Sequence, residues 1–123
     1  MRIKRSTLLA SAAVVTQLVG CFGGSVSEIW ERGNPASFAS SQSALALANC
    51  IDRNSNYSWG GTQKSSMRTL GPDHYEVVRA SQTIVGVVVQ VKSAANGSIA
   101  AFRFNGYDVG IAMHVADMTK GCG

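Results

Sequence analysis

Apolar and polar positions divide the chain into three stretches of different character. Residues 6–20 (STLLASAAVVTQLVG) form an uncharged run behind a basic start. The apolar part of that run covers about 14 residues, short of the roughly 20 that a membrane-crossing helix needs. Residues 22–33 (FGGSVSEIWERG) are mostly small and polar, and Phe22, Ile29 and Trp30 are their large apolar side chains. This stretch reads as a tether, with Ile29 and Trp30 resting on the domain or on a lipid interface, where tryptophan is at home.

Residues 35–52 (PASFASSQSALALANCID) predict a helix. Asn34 is placed to cap it and Pro35 to occupy its first position. Phe38, Leu45 and Ala48 fall on one stripe, with Ala44, Leu47 and Ile51 beside it. Residues 43–48 also alternate, so a strand competes, but length and the cap favour helix. Residues 53–61 (RNSNYSWGG) read as a polar loop, or a short strand, carrying Tyr57 and Trp59.

The second half reads β. Pro72-Asp73 turns the chain into residues 74–80 (HYEVVRA), and residues 83–92 (TIVGVVVQVK) have the Val/Ile density of a central strand. Asn96-Gly97 is a strong hairpin signal, returning the chain through residues 98–104 (SIAAFRF). Asn105-Gly106 repeats the turn chemistry. Residues 109–118 (VGIAMHVADM) alternate, which predicts a last strand with Val109, Ile111, Met113 and Val115 on one face. Gly110, Ala112, His114 and Ala116 would form a small-residue face against the helix. The expected fold is therefore α+β: one N-terminal helix packed on an antiparallel sheet of three to five strands.

At 123 residues, 46% hydrophobic and 15% charged, the chain has room for one small domain. Its net charge of +4 is concentrated at the start, where Arg2, Lys4 and Arg5 precede the apolar run. A basic segment, a short apolar run and small residues at its end make a secretory signal pattern. Leu18-Val19-Gly20-Cys21 then resembles the lipobox of bacterial lipoprotein precursors, a resemblance that covers residues 1–21 only. It implies that the Cys21 thiol takes a diacylglyceryl group and that a dedicated peptidase cuts before it. Cys21 then becomes the acylated N-terminus, a palmitate-type anchor. Ordinary signal cleavage near Ser11-Ala12-Ala13, leaving Cys21 as a free thiol, is the rival reading. Phe22 in place of Asp implies sorting to the outer membrane, facing the periplasm. The domain scheme is then a signal peptide at 1–20, a lipidated tether at 21–33 and one α+β domain at 34–123.

Loss of residues 1–20 leaves 8 basic and 7 acidic residues, a net of +1. That removes the main support for nucleic-acid binding. With Cys21 carrying lipid, Cys50 and Cys122 remain as an even pair in an oxidising compartment, which predicts a disulfide from the helix to the end of the last strand. Closing that long loop is worth about 4 kcal/mol in the chain-entropy account. His74 and His114 do not stand at ligand spacing from either cysteine, so neither a metal site nor another cofactor is expected.

Catalytic patterns are sparse. Gly61-Thr62-Gln63-Lys64-Ser65 departs from a P-loop at Gln63 and lacks the strand before it. Two sequons, at Asn56 and Asn96, carry no weight in a bacterial lipoprotein. Asp73-His74-Tyr75-Glu76 gathers titratable groups, but neighbours on a strand point to opposite faces. Asp52, Asp108 and Asp117 are dispersed, and no serine stands in a nucleophile elbow. Aromatic and arginine side chains dominate binding hot spots. Tyr57, Trp59, Tyr75, Tyr107, Arg53 and Arg68 are thus the candidate partner-binding residues.

The expected function is a non-catalytic, membrane-anchored module that grips an envelope protein. Small lipoproteins of this build resemble secretion accessories, hydrolase inhibitors, immunity proteins and phage or prophage superinfection-exclusion lipoproteins. The alternative is a small envelope hydrolase using His74 or His114 as its base. A small-ligand carrier is a third reading, for which so short a chain leaves little interior. An open sheet edge would invite homo-oligomers by strand pairing.

Overall fold

A computed structural model describes residues 24–58 and 63–123. The expected signal peptide, Cys21 and Trp59 lie outside the described residues, as does the side chain of Tyr57. The order of elements is α1 (Val26–Arg32), β1 (Asn34–Ser40), α2 (Ala44–Ser58), β2 (Lys64–Gly71), β3 (His74–Ala80), β4 (Val85–Ala94), β5 (Gly97–Phe104) and α3 (Ile111–Met118). The five strands form one antiparallel sheet in the order β1-β5-β4-β3-β2. From β1, α2 carries the chain to the far edge, and a meander returns it to lie beside β1. The fold is α+β, as expected, but with three described helices in place of one.

Two assignments are corrected. The segment expected to begin the helix at Asn34-Pro35 is instead the edge strand β1. Pro35 is admissible there because an edge strand needs hydrogen bonds on one side only. Exposure alternates along it: Ala36, Phe38 and Ser40 turn inward while Pro35, Ser37 and Ala39 face out. The helix starts nine residues later, where Ser43 Oγ accepts the Ala46 N–H at 3.2 Å. From there Ala44, Leu47, Ala48, Ile51 and Ser55 are buried on one helical face. The helix runs on through Ser58, across most of what read as a polar loop.

The other correction concerns residues 109–118, expected as a strand. They form a loop and the helix α3. Ile111, Val115 and Met118 recur at helical spacing and pack on the core. The small residues expected to face a helix, Ala112 and Ala116, are exposed. Residues 74–80 and the hairpin through Ala95-Asn96 are β as expected. In that hairpin Gly97 (φ +143°), not Asn96, takes the left-handed conformation.

The core lies between one sheet face and the two helices α2 and α3. Val77, Val87, Val89, Val91, Phe102 and Phe104 meet Leu47, Ile51 and Met118 there. Cys50 and Cys122 form the expected disulfide, S–S 2.04 Å. It joins the middle of α2 to the tail behind α3, rather than to a last strand. Asn54 reinforces that junction, donating to the carbonyls of Met118 and Lys120 at 3.0 Å each. The stretch read as a tether carries α1, capped by Ser25 Oγ, which accepts the Glu28 N–H at 3.2 Å. This helix packs across β4 and β5 on the other sheet face, burying Ile29. The Arg103 guanidinium lies 4.8 Å from the centre of the Trp30 ring. No described helix is long and apolar enough to cross a membrane.

Candidate binding cleft

A cleft of about 490 Å³ opens where the ends of β3, β4 and β5 meet α3. Asn105 builds its wall. The residue is buried, donating from Nδ2 to the Val85 carbonyl at 3.0 Å and accepting the Tyr107 N–H on Oδ1 at 3.2 Å. These bonds hold the 105–110 loop against the start of β4. Asp108 then organises the entry to α3. Its Oδ1 accepts the Gly110 N–H at 2.9 Å, and its Oδ2 lies 2.6 Å from His114 Nδ1. The His114 ring also lies against Phe104, centroids 6.2 Å apart. Carboxylate on one side and aromatic ring on the other hold the imidazole in place.

Arg79 closes the inner end. Although on the core face of β3, it is only 2% exposed, and Nη2 donates to Gln63 Oε1 at 2.6 Å. Burial pushes its pKa down from the usual guanidinium range to about 10, and the nearby Asp108 carboxylate pulls it back up. The guanidinium therefore stays charged at neutral pH. The rim is apolar: Tyr107 is 81% exposed, Val109 101%, Met113 65% and Ile84 39%. Among the described residues, no serine, threonine or cysteine lines the cleft.

Of the candidates read from sequence, Tyr107 and His114 reach this cleft. Tyr75 is half-buried against the core, and Arg53 is exposed on α2. Arg68 is on the opposite sheet face, its Nε 2.7 Å from Oε1 of the buried Glu76. His74 shares that face, with Nε2 3.3 Å from Gln90 Oε1, so the two histidines lie on opposite sides of the sheet. The described candidates therefore do not form one surface.

Arg79, Asp108, Ile84, Val109 and Met113 were missed. Alternation places Val109 and Met113 on one face of an expected strand, which gives no sign of an exposed rim. The usable signal is Asp108 followed by Gly110, an Asx turn after the Asn105-Gly106 turn. Among the described residues no group of three His, Cys, Asp or Glu could hold a metal ion. The cleft opens where loop and helix stand off the strand ends, and Val87 and Phe104 of the core lie in its lining. Comparison with protein-family models, with curated proteins and with solved structures finds no match to this chain.

Proposed function

We propose that this protein is a lipid-anchored, non-catalytic binding module of the bacterial cell envelope. It acts as an accessory or inhibitor by gripping another envelope protein through the cleft. The anchor is an acylated Cys21, as the lipobox resemblance implies, with sorting to the outer membrane and the domain in the periplasm. One observation supports the binding reading above others. Four of the seven exposed large hydrophobics among the described residues (Ile84, Tyr107, Val109 and Met113) stand on the rim of this one cleft. Apolar groups gathered at one place on a surface are the usual mark of an interaction site.

The test is a photoreactive benzoylphenylalanine in place of Met113, irradiated in intact cells. The expected result is one discrete cross-linked protein, lost when Val109→Asp is added. An absent adduct, or one that survives Val109→Asp, overturns the assignment.

A single observation favours a second reading. The Asp108–His114 pair, 2.6 Å apart, is the arrangement that orients a general base, and it faces the cleft. A hydrolase built on it would use His114 as the base that activates water. His74, on the far side of the sheet, takes no part. His114→Gln separates the readings: a hydrolase loses its function while it stays folded and keeps the Met113-site cross-link, whereas in a binding module any loss of function comes with loss of the cross-link.

A further inference from the structure

The described domain begins close to the proposed anchor, and that closeness limits how it can sit. Cys21 and Gly24 are three residue steps apart, a span of at most about 11 Å. A domain of this size has a radius of gyration of about 13 Å, so the anchor cannot hold it a full diameter from the membrane. The chain enters the fold at Ser25 and Val26, which lie with Trp30 beside Arg68, Glu76 and Gln90. That position is on the sheet face covered by α1, opposite α2 and α3. Charge is also unequal on the two sides. Lys64, Arg68, Lys92 and Arg103 share the α1 face by strand alternation, and Arg32 ends α1 itself. Against these five stand Glu28 and Glu31 on α1, Asp73 in the β2–β3 turn, and the buried Glu76, already paired with Arg68. The helix side is balanced, with Arg53, Arg79 and Lys120 against Asp52, Asp108 and Asp117. Ile99, 46% exposed, adds an apolar side chain to the basic face, opposite Lys92 in the strand register.

We propose that the α1 face of the sheet is a membrane-docking surface for anionic phospholipid headgroups, and that it turns the α3 cleft away from the bilayer. The proposal rests on acylation at Cys21. The acyl chains supply the affinity, and Lys64 and Lys92 select which side lies down. A partner arriving from the periplasmic space then meets the cleft, not the sheet.

The test uses the acylated protein in vesicles of phosphatidylglycerol and phosphatidylethanolamine, with phosphatidylcholine vesicles for comparison. A fluorescent noncanonical residue replaces Ser66, exposed on the α1 face, or Ala116, exposed on α3. Nitroxide-headgroup lipid is the quencher. Quenching at Ser66 is expected to exceed quenching at Ala116 on the anionic vesicles. The difference should shrink in phosphatidylcholine and at high salt. Lys64→Ser and Lys92→Ser should each reduce the preference for this orientation about fivefold. Flotation and intact mass run on the same samples. A protein that lacks acyl chains overturns the anchored reading itself. An acylated, floating protein overturns the docking surface alone if Ala116 is quenched as strongly as Ser66. Equal ratios on the two kinds of vesicle overturn the role of the basic side chains.

Discussion

Arg79 separates binding from stability at the level of one side chain. Its pKa is lower in the folded protein than in the unfolded chain, so the unfolded chain holds the proton more tightly. The charge therefore opposes folding at every pH below about 10, and that cost fades only as pH rises from about 10 towards the usual guanidinium range. An apolar side chain of similar volume removes that desolvation cost, and Asp108 keeps His114 as its partner. Arg79→Met is expected to leave the pH 7 melting temperature unchanged or raised while removing the Met113-site cross-link. A clear fall in melting temperature would show that the guanidinium stabilises the fold. Gly97 has the opposite character. Its φ of +143° disfavours any side chain, and an added Cβ would collide with the Ser40 carbonyl oxygen and meet Ser41 Cα at 2.8 Å. Gly97→Ala should cost about 2 kcal/mol or more in denaturant unfolding. At the rim, Val109→Asp and Met113→Asp should change stability by less than about 0.5 kcal/mol, since both side chains already face water.

Among the elements, the two helices over the core hold together through the Cys50–Cys122 bridge. Its partners are 72 residues apart, which in the chain-entropy account is worth about 4 kcal/mol. Cys50→Ala with Cys122→Ala should lower the melting temperature by roughly 15 °C or more, read by circular dichroism. A shift of only a few degrees would mean that Asn54 and the packing of Met118 suffice. The same elements show what was legible in the sequence. Strands β3, β4 and β5 were, because valine alternation and turn residues agree there. The segment at Asn34-Pro35 was not, because its cap-and-proline signal serves equally well at an edge strand. Residues 109–118 misled for a related reason: Val109, Ile111, Met113 and Val115 fit a period of two, while Ile111, Val115 and Met118 fit a period of 3.6. A sheet already supplied with β1 at that edge settles the choice, and this is tertiary information. The cleft stayed hidden for the same reason, since it depends on the 105–110 loop and α3 standing where a strand was expected.

At the scale of the whole molecule, the layers divide the work. The α1 face carries the chain's entry together with Lys64, Lys92 and Arg103, and the α2–α3 side carries the disulfide and the cleft. In the proposed arrangement one side faces lipid and the other presents the apolar rim to a partner, while the acyl anchor concentrates the protein where that partner resides. The arrangement depends first on Cys21. The most direct test is the intact mass of the protein from the membrane fraction, alkylated with and without prior reduction. The account predicts loss of residues 1–20, added acyl chains on Cys21, and two alkylated cysteines that appear only after reduction. A mass without acyl chains, or one that keeps residues 1–20, would contradict it.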